Sequence, residues 1–215
     1  TAPRFHVIVV LRENLEWIEA CLHSLQAQTL APARISVFDM RLGVAAPAGL
    51  EAAFPHMRLL RAPEKLGPGA AANRAAMGIR DAQFIVLLDA EAILALNALE
   101  KLAEAFGACG SVGVLGCKIL NDDVETIHQV GLNLRGNGMP RPLGQGEIDN
   151  GQYTGVQEVI CVQRGAVAIR SEVWCELGGL DERYWPAYYE QIDLCLRAQA
   201  AGWRVAVACD ATVTH

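Results

Sequence analysis

The sequence predicts an α/β protein built on a mainly parallel central sheet with helices on both faces. Three observations carry that prediction. Short runs rich in Val, Ile and Leu read as fully buried strands, amphipathic or alanine-rich segments between them read as helices, and the two alternate through the first half of the chain. A strand, helix, strand order returns to the same sheet by crossing over it, which makes the strands parallel and puts the helices on the faces.

The elements follow in order. FHVIVVL (Phe5–Leu11) is the first strand, and NLEWIEACLHSLQAQT is a helix with Leu15, Ile18, Leu22 and Leu25 on one face. RISVFDM is the second strand. The loop KLGPG then opens an alanine-rich helix, AAANRAAMGIRDA, before the third strand, FIVLLD. NALEKLAEAFGACG is the third helix, closed by Gly107 or Gly110. From residue 121 to 153 the pattern dissolves into RGNGMPRPLGQGEIDNGQ, which predicts a long loop, mobile or folded over a site. EVICVQRGAVAIRSEVWCELGGLDERY reads as a strand pair leading into a short helix and a Gly-Gly turn. The helix YYEQIDLCLRAQAAG follows, ended by Gly202, and then a last strand, WRVAVAC. No repeat and no low-complexity segment interrupts the order.

A chain of 215 residues can bury a sizeable core without staples, and we expect residues 1–215 to form one domain. Its formal charge of -6 and pI near 5.4 disfavour a nucleic-acid partner, which needs clustered Lys and Arg. The seven cysteines are scattered and never reach C-x-x-C spacing, so they read as reduced core thiols of a cytoplasmic protein. No apolar run is long enough to span a membrane, and the first residues lack the features of a signal peptide. The absence of an initial Met suggests a piece of something longer.

The candidate chemistry gathers at strand ends. In an open parallel sheet, ligands meet the side chains just beyond the carboxyl ends of strands, where Asp89 and Glu91 lie. If the backbone stays extended there, the two carboxylates point the same way and can converge on Mg²⁺ or Mn²⁺, which in turn can hold a diphosphate. The plainer reading makes Asp89 a helix cap and leaves Glu91 solvated. Asp39 ends the second strand in the same manner, either accepting from a base or ribose or serving as a turn residue. KLGPGAAANR places a helix N-terminus where free N–H groups could meet phosphate or base edges.

In YWPAYYEQIDLCLR, Arg197 lies four residues beyond Asp193 and is expected to pair with it. Glu190, at the mouth of that helix among aromatics, is placed either as a general base or as a surface cap. His215 is either a ligand or a satisfied edge histidine.

Taken in order, these pieces resemble the inverting family 2 glycosyltransferases of the GT-A (nucleotide-diphospho-sugar transferase) fold, over nearly the whole chain. The densest likeness runs from IRSEVWCELGGLDERY through EQIDLCLRAQAAGWRV to TVTH. It resembles the family's Gly-Gly-Phe-Asp-Glu, Glu-Asp-x-Asp-Leu-x-Leu-Arg, Ala-Gly-Trp/Tyr and closing Val-x-His. CLHSLQAQT is similar to the first helix, KLGPGAAANR to the Asn-x-Gly loop, LLDAEA to the Asp-x-Asp motif, and ETIHQVG to Ile-Gln-His-Ala-Gly with two letters exchanged.

The resemblance implies a nucleotide-sugar-binding half over 1–120 and an acceptor-side half over 121–215. It puts Asp39 by the base, Asn73 near the nucleoside, and Asp89 by the ribose or metal. Glu91 and His215 would complete the metal shell, Glu190 would be the base, and Arg164 would contact an anionic acceptor or the donor phosphates. Several positions depart from the pattern. VLRE replaces Pro-Thr-Tyr-Asn after the first strand and brings in Arg12 and Glu13. MRL follows Asp39 in place of Asp/Asn-Gly-Ser, Ala72 replaces an arginine, QRG replaces Thr-Gly-Ala, and Gln191 stands where the family commonly keeps its catalytic Asp.

The expectation is therefore a metal-dependent transferase moving a sugar from a nucleotide-diphosphate donor to a glycan or lipid-linked acceptor, cytoplasmic or at the inner face of the membrane. The alternative is a related binding or scaffold module without turnover. A nucleotidyltransferase is disfavoured, because no glycine-rich loop with a catalytic lysine follows the first strand.

Overall fold

In the computed structural model, residues 2–12, 15–45, 49–62, 64–79, 81–163, 165–184 and 186–215 are described. The first half supplies four parallel strands, β1 (Phe5–Leu11), β2 (Arg34–Asp39), β3 (Met57–Arg61) and β4 (Phe84–Asp89), in the spatial order β3-β2-β1-β4. The register aligns Leu11 with Asp39 and Asp39 with Arg61, while Val10 aligns with Asp89. Helices α1 (Ile18–Gln26), the single turn α2 (Leu50–Ala53) and α3 (Pro68–Ala76) connect them.

Alternation along β1 sorts the core into two layers. Val7, Val9 and Leu11 pack with Ile18, Leu22 and Leu25 of α1 and with Leu99 and Leu102 of α4 (Ala98–Ala108). Ile8 points to the opposite layer, with Ala71 and Ala75 of α3. Alanine is what lets α3 lie close against the sheet. Its helix begins with Pro68 in the first turn, where the missing N–H has no intrahelical partner to lose.

The second half completes the sheet with mixed directions. The short β5 (Ile93–Leu94) precedes α4, and β6 (Val112–Leu120) follows it. The segment expected as a structureless loop instead carries β7 (Ile127–Gln129) and a small hairpin, β8 (Leu132–Leu134) with β9 (Pro140–Pro142). Its ordering has an electrostatic anchor, a 2.6 Å ion pair between Lys118 of β6 and Asp149. Beyond it come β10 (Val156–Glu158), β11 (Ala166–Arg170), α5 (Ser171–Leu177), α6 (Glu190–Ala200) and β12 (Arg204–Thr214). The strand pair expected in EVICVQRGAVAIR is corrected: AVAIR forms β11, but EVICVQ is no strand beyond Glu158 at the end of β10 and an isolated bridge from Cys161 to Leu132, and β10 pairs β12 while β11 inserts antiparallel between β4 and β6.

The sequence reading did not mark β3 or β6. β6 is a central strand, parallel to β12, yet Gly113 and Gly116 interrupt its apolar run. Both glycines are required by close packing. A Cβ at Gly116 would lie 2.7 Å from Val162 Cγ1, and one at Gly113 would lie 2.9 Å from both Trp203 and Val173.

Candidate active site

The strand order reverses between β1 and β4, since β1, β2 and β3 proceed one way and β4 lies on the other side of β1. A crevice opens beyond the carboxyl ends at such a point. Here it is a cleft lined by Val10 and Arg12 at the exit of β1, Leu88 and Asp89 at the exit of β4, and Glu190 and Gln191 at the start of α6. Pro68 at the N-terminal end of α3 and Gln163 close its sides.

The direction of β11 brings distant residues to this lip. Because β11 runs against both β4 and β6, two reversals leave β6 and its parallel neighbour β12 pointing the same way as β4. The exit of β12 therefore delivers His215 to the exit of β4, and His215 Nε2 stands 3.3 Å from Asp89 Oδ2. The entry of β11 also arrives there. Gly165 N–H donates to Asp89 Oδ2 at 3.2 Å, and Asp89 N–H donates to Gly165 O at 3.0 Å. The His128 ring lies 6.2 Å from that of His215, centre to centre.

Glu91 does not join them. The extended geometry expected after Asp89 is replaced by a turn, closed by a 3.0 Å bond from Ala92 N–H to Asp89 O, and Glu91 is exposed on it. The turn breaks the period of two on which the expected convergence of the carboxylates rested. Among the described residues, no three His, Cys, Asp or Glu side chains group closely enough to hold a metal ion. Asp89 and His215 offer one carboxylate and one imidazole. Hard divalent ions commonly take one or two protein carboxylates and fill the shell with phosphate oxygens and water. This pair fits an ion that arrives with a diphosphate, and does not fit a preformed cage.

Glu190 opens α6 and is 8 % exposed. Its Oε2 accepts from the Tyr188 N–H at 2.7 Å, and the Tyr188 carbonyl accepts from Gln163 Nε2 at 2.7 Å. Gln129 Nε2 in turn donates to the Gln163 carbonyl. A chain of amides thus runs from β7 to the carboxylate. Tyr188 pays for its place in that chain with a φ of +104°, a region an aromatic residue rarely enters. Gln163 and Tyr188 are not among the site residues expected from the sequence; the QRG motif points near the first, and the aromatics beside Glu190 point near the second. The expected Asp193–Arg197 pair is present at 2.7 Å, and Arg197 also donates to the carbonyls of Leu177 and Gly179 at 2.9 Å. It ties α6 to the Gly178–Gly179 turn.

Two expected substrate contacts are engaged internally. Asp39 has a fully buried side chain, and a buried charge needs partners. Arg41 provides them in a bidentate fork, Nε to Oδ1 at 2.9 Å and Nη2 to Oδ2 at 3.0 Å. Asn73 pairs both ways with Leu180, accepting its N–H at 2.9 Å and donating to its carbonyl at 2.8 Å. Its amide also donates to Glu182 at 2.9 Å, which fastens α3 to the loop before α6. Arg164, expected at the phosphates or acceptor, lies outside the described residues.

All seven cysteines are free and five are buried. Burial pushes the Cys117 thiol up to about 12, and burial with the nearby Asp89 charge does the same for Cys21, so both stay protonated and unreactive.

The comparisons with known proteins agree with this architecture. The family described as glycosyltransferase like family 2 matches residues 3–215. No curated protein matches the chain significantly. Among solved structures, GalNAc-T7 with UDP, GalNAc and Mn²⁺ superposes with a TM-score of 0.78 at 15% identity, covering 99% of this chain and 44% of that one. TarS of S. aureus gives 0.68 at 16% identity, covering 98% of this chain and 36% of its own. The mannosyltransferase PcManGT from Pyrobaculum calidifontis, in complex with GDP-Man and Mn²⁺, gives 0.66 at 18% identity, covering 100% of this chain and 57% of its own. This chain thus spans roughly a third to three-fifths of the length of these structures. At such identities the likeness concerns the fold.

Proposed function

We propose that this chain, which belongs to glycosyltransferase like family 2, is the nucleotide-sugar-binding and catalytic part of an inverting, metal-assisted glycosyltransferase. One observation carries the reading: Asp89, His215 and Glu190, from three separate parts of the sequence, meet at the crevice where the strand order reverses. Two of the similar structures hold Mn²⁺, one with UDP and one with GDP-Man, which supports a nucleotide-diphosphate donor and a divalent ion.

Asp89 and His215 would hold the ion with the donor's phosphates, and the ion would offset charge on the departing diphosphate. Arg12, on the same cleft, adds a permanent positive charge. The acceptor hydroxyl attacks the anomeric carbon from the side opposite the leaving oxygen. Glu190 takes the hydroxyl proton as the new bond forms, and the nucleoside diphosphate departs with the electron pair of the broken bond. Gln191 cannot take that proton, so the task falls to Glu190. The tethered Oε2 fixes the carboxylate's direction and leaves Oε1 to act. The acceptor in this reading is a glycan or a lipid-linked sugar, and the setting is polysaccharide synthesis at the inner face of a membrane.

The test is thermal stability with Mn²⁺ and nucleoside diphosphates. A rise in melting temperature that Asp89→Asn abolishes supports the reading; no rise with any nucleotide removes it. A second reading, a binding module without turnover, draws on Gln191 and on the engagement of Glu190 by the Tyr188 amide. Donor hydrolysis that disappears in Glu190→Gln favours the enzyme, and binding without hydrolysis favours the module.

A further inference from the structure

We infer that Gln163 is a positioning residue for Glu190: by holding the Tyr188 carbonyl, its side-chain amide keeps the Tyr188 N–H on one carboxylate oxygen and leaves the other to receive the proton. The inference rests on Glu190 taking the acceptor's proton, as read above. Gln163, Tyr188 and Glu190 all line the crevice.

Two hydrogen bonds meet at Tyr188 and act on the two peptide units that flank it. On one side its N–H donates to Glu190 Oε2 at 2.7 Å, and on the other its carbonyl accepts from Gln163 Nε2 at 2.7 Å. The only soft dihedrals between those groups are φ and ψ of Tyr188, so holding both groups holds the residue's conformation. That conformation has φ +104°, which a tyrosine leaves when nothing holds it. The strain of such a residue and the net worth of one hydrogen bond are comparable in size, so loss of the Gln163 bond tips the balance toward relaxation. Rotation about φ turns the N–H relative to everything that follows it, Glu190 included. Release of the strain therefore takes the donor off Oε2 and frees the carboxylate to turn.

Gln163 is itself held from behind. Its backbone carbonyl accepts from Nε2 of Gln129 on β7, a side chain only 4 % exposed. Two residues on, Gly165 N–H donates to Asp89 Oδ2 at 3.2 Å. One short stretch before β11 thus reaches Asp89 directly and Glu190 through Tyr188.

The experiment measures hydrolysis of UDP-glucose, UDP-N-acetylgalactosamine and GDP-mannose with Mn²⁺ by the full chain, Gln163→Met, Tyr188→Gly and the double variant, with UDP affinity followed by calorimetry. Methionine keeps the length of glutamine and removes the donor. Gln163→Met is expected to lower kcat about tenfold, with KM and the UDP affinity changed by less than about twofold, because orientation is lost and binding is not. Glycine holds a positive φ without strain, so the same substitution, measured against Tyr188→Gly alone, is expected to lower kcat by less than about threefold. A merely structural defect at position 163 would not be rescued in that way. An unchanged kcat in Gln163→Met, a raised KM with kcat kept, or an equal loss in both backgrounds overturns the inference while nucleotide binding stands. Hydrolysis that persists in Glu190→Gln, or that the parent lacks with every donor, removes the catalytic reading and this inference together. If Gln163→Met does not fold, Gln163→Glu, which keeps the size but cannot donate while ionised, carries the same comparison.

Discussion

The amide of Tyr188 donates to Glu190 Oε2 at 2.7 Å from a backbone held at φ +104°. Such a conformation costs about 1–3 kcal/mol in a non-glycine residue, and the Tyr188 side chain, 55 % exposed, recovers little of it by packing. Tyr188→Gly keeps the N–H and relieves the strain, at the cost of about 0.5–1 kcal/mol of added chain entropy. We expect a net gain of about 1 kcal/mol, seen as a higher midpoint in urea. Tyr188→Pro forbids the positive φ and removes the donor, and is expected to lower both stability and donor hydrolysis. A lower midpoint in Tyr188→Gly would show that the ring is holding the loop.

The Lys118–Asp149 pair anchors the 121–153 segment with both side chains largely buried, at 8 % and 15 % exposure. The Lys118 hydrogen bond, aided by the Gly151 N–H, holds the Asp149 carboxyl below its usual range against the opposing effect of burial. A depressed folded value means that the contribution to stability is complete above the ordinary carboxylate range and is lost as pH falls through the folded value. Asp149→Asn leaves a buried ammonium unpaired and is expected to cost about 3 kcal/mol at neutral pH. The same variant should have a flatter acid limb than the parent in denaturant titrations at a series of pH values.

His6 lies in the core of β1, 2 % exposed, with Nε2 2.8 Å from Ser36 Oγ. Burial first, and then the Arg34 charge, lower it from 6.5 to about 4. The folded chain therefore binds fewer protons than the unfolded chain between those values. Stability is full above pH 6.5 and declines as pH falls toward 4, by at most about 1.4 kcal/mol per unit. His6→Gln should remove that part of the slope. An unchanged slope in unfolding midpoints between pH 6.5 and 4 would assign it to other groups.

Gly116→Ala places a methyl 2.7 Å from Val162 Cγ1 and 2.9 Å from its Cβ, contacts that side-chain rotation alone does not relieve. The expected cost is about 1–3 kcal/mol in the denaturation midpoint. Gly110→Ala, where a Cβ meets nothing within 4 Å, is the matched control.

What could be read from the sequence was local. β1, β2 and β4 announce themselves because a doubly covered parallel strand must be apolar throughout, and the Asp193–Arg197 pair follows from helical spacing. β6 hid behind Gly113 and Gly116, whose need comes from Trp203, Val173 and Val162, far away in sequence. The meeting of Asp89 with His215 depends on β11 reversing direction between two strands, which no local pattern encodes. Asp39 reads from the sequence either as an acceptor for a base or ribose or as a turn residue; the Arg41 N–H bonded to its Oδ1 is the turn contact, and the arginine side chain joins it. In extended backbone the two share a face, and only the fold decides whether the carboxylate meets its own arginine or a ligand.

The reversed strand β11 has a consequence for how the chain must be synthesised and handled. Residues 166–170 fill the slot between β4 and β6. Until they emerge, the earlier portion presents two bare hydrogen-bonding rims where neighbours should sit, and unprotected rims of that kind recruit foreign strands. Pieces divided near residue 120 and expressed apart should therefore precipitate singly and recover solubility only when refolded as a mixture.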